Sequence, residues 1–277
     1  MSNNPLQGYF RNPIYVKIPS NGRFYKTPVE LEMSGDLKIL PMTAADDIIL
    51  KNPEALLNGS ALDHLFRSCV PGIKNPKEIL VPDMDVILLG IKLASNGGNL
   101  DVETVCPKCN TEISLTTNIH YLIEGAEPLC EDNTVRINED LVAYVRPHDM
   151  ESRTILEMTA FEENKMIDYL TNSQNVTAEE KVDYFNKSIK KVAHLNQDLI
   201  AKRIIHIATP NGIVSDEEHI LEFIRNSDKK VTNAILEGVK RVSKGGVNTN
   251  QHITCTNEKC KHEWDTNLIF DPTTFFV

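Results

Sequence analysis

The sequence is poor in aromatic residues, has no excess of positive charge and contains no long apolar run. Aromatic residues make up 6% of the 277 residues, and the formal net charge is −10. A general nucleic-acid-binding protein needs a basic face, so the acidic balance argues against that class. The longest apolar run, residues 86–91 with its flanks, is too short to cross a bilayer, so we expect no membrane span.

The N-terminal residues show no sign of a secretion signal. The stretch Met1-Ser2-Asn3-Asn4-Pro5 is polar and uncharged, whereas a signal peptide needs a basic start and an apolar centre. We therefore expect a reducing cytosol, in which cysteines persist as thiols or metal ligands.

The motifs of common enzymes are also missing. The sequence has no GxxxxGK[ST], no GxGxxG after a strand, no GxSxG and no HExxH. Two pairs of residues could be interpreted functionally: Asp46 with Asp47 as a carboxylate pair for catalysis or metal, and His148 with Asp149 as an acid–base pair. Both fit better as helix starts, because carboxylates cap and stabilise helix N-termini. The sequence therefore predicts a protein that is not an enzyme.

Four of the six cysteines form two closely spaced pairs. Cys106 and Cys109 are separated by two residues, and Cys255 and Cys260 by four. Alternating apolar and polar residues flank each pair, which predicts two β-hairpins with cysteines at their tips. Two such hairpins can supply four thiolates to one tetrahedral zinc ion. We therefore predict one structural Zn²⁺ bound by Cys106, Cys109, Cys255 and Cys260.

Other interpretations of the cysteines remain open at this point. The CxxC pair could be a redox motif or a disulfide, although a return strand rather than a helix follows it. His262 or His252 lies close enough in sequence to replace a cysteine ligand. Cys69 and Cys130 stand alone in apolar settings, which is typical of buried structural thiols.

The order of predicted elements indicates an α+β fold. It consists of small β-hairpins and short helices, with a split four-cysteine zinc ribbon and an inserted helical domain. Near the N-terminus we expect two local hairpins, 15–18 with 23–25 and 30–33 with 37–40. Four regions follow from this order: an N-terminal α+β region with the first zinc hairpin (1–123), a β-hairpin connector (124–148), the helical domain (149–245), and the second zinc hairpin with the C-terminal tail (246–277).

The helical region contains one unusually long amphipathic pattern. Thr177 and Glu180 form a capping box that should start a helix of about thirty residues. Six apolar residues recur along it at spacings of three and four: Val182, Phe185, Ile189, Val192, Leu199 and Ile207. This pattern predicts packing against other helices, in the core of this chain or, as the less favoured alternative, against a partner.

The C-terminal residues are apolar where most chains are polar. Phe270, Phe275, Phe276 and Val277 would each gain about 1.5–3 kcal/mol from burial. We therefore expect this tail to be docked, either on its own chain or in a neighbouring subunit.

Several segments, taken in order, resemble one known protein family. The stretch Ile18-Pro19-Ser20-Asn21-Gly22-Arg23-Phe24-Tyr25 resembles its opening signature, and Trp264 with residues 270–276 resembles its ending. The segments between them are residues 40–50, 57–62, 67–70, 83–89, 94–97 and 106–109. This order is similar to that of the baseplate hub assembly proteins of contractile-tailed bacteriophages, over about residues 9–123 and 252–277.

The resemblance implies a non-enzymatic structural or assembly protein of the phage tail baseplate hub. Its partners would be other hub or wedge proteins, not nucleic acid. It would meet them in the host cytoplasm during assembly or in the tail baseplate of the virion. The alternative from a different class is a zinc-ribbon adaptor in nucleic-acid metabolism. Basic residues clustered on the ribbon would favour that alternative.

Overall fold

A computed structural model of the chain describes residues 11–173 and 176–268. The docked tail expected at Phe270, Phe275, Phe276 and Val277 lies outside these residues. Within them the chain forms two compact units. Of the described residues, unit 1 contains 11–128 and 245–268, and unit 2 contains 129–173 and 176–244.

Helices and strands are mixed along the chain, which confirms the predicted α+β class. The helices are α1 (Ala44–Leu50), α2 (Pro53–Leu57), α3 (Ser60–Cys69), α4 (Val81–Asn96), α5 (Ile119–Glu124), α6 (Met150–Asn172), α7 (Ala178–Lys202), α8 (Glu217–Asn226) and α9 (Lys229–Val242). The strands are β1 (Ile14–Val16), β2 (Leu37–Ile39), β3 (Asn99–Val105), β4 (Glu112–Asn118), β5 (Thr134–Arg136), β6 (Val142–Val145), β7 (Ile204–Thr209), β8 (Gly212–Val214), β9 (Asn250–Thr254) and β10 (Glu263–Asn267).

The two local hairpins predicted near the N-terminus are wrong. Strand β1 instead pairs antiparallel with β2, placing Ile14 opposite Ile39 and Val16 opposite Leu37. Val16, Leu37 and Ile39 are buried, so this longer-range pair brings three apolar side chains into one core. That burial outweighs the smaller loop that local pairing would have closed.

Helix α4 forms the centre of the core of unit 1. It is buried on most of its surface, and its buried residues include Met84, Val86, Ile87, Leu88, Leu89 and Ile91. Gly90 lets β2 approach closely, because a Cβ at this position would lie 2.5 Å from Ile39 Cδ1.

The buried Asp83 carboxylate joins α4 to the turn after β1. It accepts hydrogen bonds from the Ser20 backbone N–H (2.8 Å), the Ser20 hydroxyl (2.5 Å) and the Tyr25 hydroxyl (2.8 Å). Burial raises the pKa of Asp83 to about 6, although these hydrogen bonds favour the charged form. The turn predicted at residues 19–22 is therefore present, but it is fastened to a helix rather than closed by a return strand.

The pairs Asp46 with Asp47 and His148 with Asp149 lie at helix starts, as the sequence predicted. Asp46 and Thr43 form a capping box at the start of α1. Asp149 caps α6 by accepting a hydrogen bond from the Ser152 backbone N–H at 2.9 Å.

Unit 2 combines a four-stranded antiparallel sheet with four helices among its described residues. The strand order is β5-β6-β7-β8, and α9 packs on β5 and β6. The capping box of Thr177 with Glu180 starts α7 as predicted, but the helix ends at Lys202. The expected continuation to Ile207 is wrong, because residues 204–209 form β7, a segment rich in β-branched residues.

Candidate metal centre

The first cysteine pair lies at the tip of the β3–β4 hairpin. Strands β3 and β4 pair from Asn99–Asn118 to Val105–Glu112, and the chain turns between them. The Cys106 N–H donates to the Thr111 carbonyl at 2.9 Å, and the Asn110 N–H donates to the Cys106 carbonyl at 2.9 Å. Asn110 has a φ of +57°, a left-handed conformation that asparagine tolerates well. This turn points both thiols to one side of the tip.

The second pair lies at the tip of the β9–β10 hairpin and has a similar turn. Here the Cys255 N–H donates to the His262 carbonyl at 2.8 Å, and the Cys260 N–H donates to the Asn257 carbonyl at 2.9 Å. Lys261, directly after the second cysteine, has a φ of +43°. In both hairpins, then, a residue with positive φ follows the second cysteine and returns the chain to the next strand.

The two tips meet. The sulfur atoms of Cys106, Cys109, Cys255 and Cys260 all lie within 4.8 Å of one another. The Cys106–Cys260 sulfur distance is 3.9 Å and the Cys109–Cys255 distance is 3.5 Å, so each short distance joins one hairpin to the other. All four cysteines are free, and both distances are too long for a disulfide bond.

These distances fit a tetrahedral metal site. A zinc–sulfur bond is about 2.3 Å, so the sulfurs of a tetrahedral four-thiolate site lie about 3.8 Å apart. Four soft thiolates suit zinc or iron, whereas magnesium and calcium prefer oxygen ligands. The four residues therefore fit a structural transition-metal ion, and such an ion would have no open position for water or substrate.

Apolar packing holds the two hairpins together around the sulfurs. Ile113 and Ile253 are buried next to Cys106 and Cys255. Leu115 and Trp264 pack against the same cluster, and the Trp264 ring stacks on that of His262 with a centroid distance of 5.8 Å. The side chains that alternate along each strand thus form the base on which the thiols are presented.

Hydrogen bonding and burial make the thiols of Cys109 and Cys255 unequal. The Thr111 hydroxyl lies 3.1 Å from Cys109 Sγ, and its hydrogen bond lowers the pKa of the Cys109 thiol to about 6. Burial raises the pKa of Cys255 instead. Cys109 therefore ionises more readily than Cys255, and a bound cation would favour the thiolate form of the buried Cys255.

Neither histidine considered from the sequence belongs to this group. The His252 ring lies 2.9 Å from an Asp265 carboxylate oxygen, and its side chain is 62% exposed. His262 contributes its backbone carbonyl to Cys255 and its ring to Trp264. Of the two remaining cysteines, Cys69 is buried against Arg11 Nη2, and Cys130 is partly buried in unit 2.

Sequence analysis did not identify two polar residues that support the site. The Asn257 side-chain amide donates to the Thr111 hydroxyl at 3.4 Å, which links one tip to the other. Asn257 also accepts from the Lys259 N–H at 3.0 Å. The only signal was a hydroxyl and an amide side chain within two residues of a cysteine, a pattern common in many turns.

A family model described as T4 bacteriophage base plate protein matches residues 14–277. The chain belongs to this family. Neither the curated proteins nor the solved structures gave a match. The match includes both cysteine hairpins and the whole of unit 2, so the resemblance first noted in the N-terminal and C-terminal parts extends through the middle of the chain.

Membership in the T4 base plate family makes this a viral structural protein of the bacteriophage tail, which associates with other phage baseplate proteins. In the described residues, no helix has the length and apolar character needed to span a membrane.

Proposed function

We propose that this chain is a non-enzymatic structural or assembly protein of the baseplate hub, held together by one structural Zn²⁺ bound to Cys106, Cys109, Cys255 and Cys260. The observation that supports it most is the meeting of the two cysteine hairpins in a chain of the base plate family. Its partners would be hub or wedge proteins, first in the host cytoplasm and then in the tail.

The location of the metal site supports a structural role. The four ligands come from the two chain segments of unit 1, on either side of the insertion that forms unit 2. A site saturated by four thiolates offers no position for substrate, so the metal would act by fixing backbone geometry. A baseplate subunit needs this rigidity, because its binding surfaces must keep their shape within an assembly.

The charges around the ribbon support protein partners over nucleic acid. Three lysines lie near the cysteines, but acidic side chains on the same hairpins offset them: Glu112, Glu258, Glu263 and Asp265. Binding a phosphate backbone requires an excess of cations that release counterions. The zinc-ribbon adaptor of nucleic-acid metabolism is therefore not proposed.

The hub role is tested in the phage itself. Phage in which this gene is disabled should yield no complete baseplates, and the wild-type gene supplied in trans should restore them. A Cys109→Ser, Cys255→Ser gene should not restore them, whereas Cys130→Ser, outside the cluster, should. Mass spectrometry of purified tails then separates a resident component from an assembly factor. Normal tails from phage with the disabled gene would overturn the proposal.

A further inference from the structure

The apolar pattern of α7 does not form the core seam that was favoured from sequence. Four of its six residues are exposed: Val182, Phe185, Ile189 and Val192. The expectation that these four pack in the core of this chain is therefore wrong. Between the two long helices, the Glu163 carboxylate of α6 instead accepts hydrogen bonds from Tyr184 (2.8 Å), Ser188 and Lys191 (3.0 Å) of α7. Polar groups thus form part of the contact that joins α6 to α7.

A second polar contact lies at the base of this helix pair, where α6 begins and α7 ends. Arg146, directly after β6, donates its backbone N–H to the Arg203 carbonyl (2.8 Å) and its Nε–H to the Lys202 carbonyl (3.1 Å). Its Nη2 donates to the Asp149 carboxylate at 3.0 Å, and the other oxygen of Asp149 caps α6. Arg146 therefore connects the start of α6 to the end of α7.

This contact buries more positive than negative charge. Arg146, Arg203 and Asp149 are 5%, 8% and 6% exposed. Burial and the charge of Arg203 lower the pKa of the neighbouring His148 to about 4, so His148 is neutral at pH 7. The partial positive charge at the start of α6 and the partial negative charge at the end of α7 oppose each other. Two guanidinium groups thus share one carboxylate, and a buried charge without a partner is costly.

Two guanidinium N–H groups also find no acceptor among the described residues. Arg146 Nη1 and Arg203 Nε are both buried and make no hydrogen bond there. Buried donors in folded proteins are nearly always paired with protein, water or a ligand. Glu151, in the first turn of α6, does not supply the missing charge, because it is paired with Lys202 at 3.4 Å. Water could accept these hydrogen bonds, but only an anion would also balance the charge.

We propose that one small anion, chloride or inorganic phosphate, binds at the base of the α6–α7 pair and accepts hydrogen bonds from Arg146 Nη1 and Arg203 Nε. It provides acceptors for two buried donors and one negative charge. Guanidinium groups bind such ligands well, because their planar set of N–H donors matches oxyanions. All the residues involved belong to unit 2, so the proposal depends neither on the metal ion nor on a hub role.

The test measures thermal unfolding of the full-length protein, purified without chelator, as chloride or inorganic phosphate is added to a buffer of low anion content. Circular dichroism follows the helical signal, to which α6 and α7 contribute strongly. Between about 1 and 100 mM of the bound anion, the unfolding temperature should rise by about 5 °C or more, as for one ligand that binds the folded state with millimolar affinity. A response to chloride alone indicates a monatomic ion, a response to phosphate alone indicates an oxyanion, and either supports the site.

The variant Arg203→Met removes the uncompensated charge and keeps a long side chain. It should abolish the anion response, and in the low-anion buffer it should unfold at a temperature no lower than the wild type, because an unpaired buried charge is destabilising. The matched control is Arg225→Met. Arg225 in α8 is exposed and pairs with Asp198 at 2.8 Å, so this variant should keep the full response. General effects of salt act on all three proteins alike.

Three results would overturn the proposal. One is a wild-type unfolding temperature that responds to neither anion, which would assign the two donors to internal water. Another is an equal response of the wild type and Arg203→Met, which would place the effect of the anion elsewhere. The third is a clear loss of stability in Arg203→Met in the low-anion buffer, which would mean that the Arg203 guanidinium is already compensated within the chain.

Discussion

The sulfur atoms of Cys106 and Cys260 lie 3.9 Å apart, although the two residues are separated by 154 positions in the sequence. Neither hairpin holds enough ligands to bind a metal ion by itself. A metal ion bound here would close a very long loop, for which the entropy removed from the unfolded chain is largest in principle. Metal binding and folding of unit 1 should therefore be tightly linked.

The first prediction concerns metal content. Protein purified without chelator should contain about one zinc ion per chain, measured by elemental analysis. Cys109→Ser should lose the ion, and unit 1 should be destabilised by on the order of 5 kcal/mol or more, because structural zinc contributes strongly to folding. Cys130→Ser, the control outside the cluster, should keep metal and stability. Metal-free protein of unchanged stability would contradict the zinc site.

The second prediction concerns pH and Asp83. Because burial raises its pKa to about 6 from an ordinary 3.8, folded protein binds a proton that unfolded protein has released between these values. The contribution of Asp83 to stability is therefore fully present below about pH 4 and is lost as pH rises through 6, by about 3 kcal/mol at most.

The comparison is with Asp83→Asn, in which this group no longer titrates. Chemical denaturation between pH 4 and 7 should show that the stability difference between wild type and variant changes in this window. A constant difference would mean that Asp83 has an ordinary pKa.

The third prediction concerns His148, for which stability changes with pH in the direction opposite to that for Asp83. Burial and the positive charge of Arg203 lower the pKa of His148 to about 4. Unfolded protein then binds the proton first, so stability is lost as pH falls below 6.5. Since the ring is only partly buried, we expect about 1–2 kcal/mol. His148→Asn should remove this loss, and an unchanged acid dependence would contradict it.

The fourth prediction concerns Gly238 in α9. A Cβ at this position would lie 2.1 Å from Val135 Cγ2 on β5. Gly238→Ala should therefore destabilise unit 2 by about 1–3 kcal/mol through overpacking. In an exposed helix the same change would stabilise by about 1 kcal/mol.

Its control is the double variant with Val135→Ala, which removes the clashing methyl groups. The double variant should lose less stability than the two single changes added together, as measured by chemical denaturation. Additive losses would show that Val135 is not what excludes a side chain at Gly238.

The metal centre was the part most accessible to sequence analysis. Cysteine spacing and strand alternation identified all four residues that the structure brings together, because tip geometry depends on local turns. What they could not give was the link from Asn257 to Thr111, since it joins two loops that are distant in sequence. The ion and its ligands, and the division at residues 123, 148 and 245, stay predictions.

Helix starts were also predictable, because a cap is a local hydrogen bond: Thr43 and Thr177 begin helices as expected. Strand pairing was not. The partner of β1 is set by which apolar side chains fill the core beneath α4, and the short turns nearby favoured the wrong hairpins. The exposure of Ile189 could not be read from spacing, because a core seam and a partner seam have the same period.

The connection between the two segments of unit 1 is held by a backbone bridge. The Glu127 N–H donates to the Gly246 carbonyl at 2.9 Å, and the Gly246 N–H donates back at 2.7 Å. During synthesis the four-cysteine cluster must wait for the ribosome to add Cys255, which lies 146 positions after Cys109. At about 5–20 residues per second, the first cysteine pair stays incomplete for on the order of ten seconds. The ribbon can therefore close only after unit 2 has been synthesised, and its closure marks a chain whose insertion has already had time to fold.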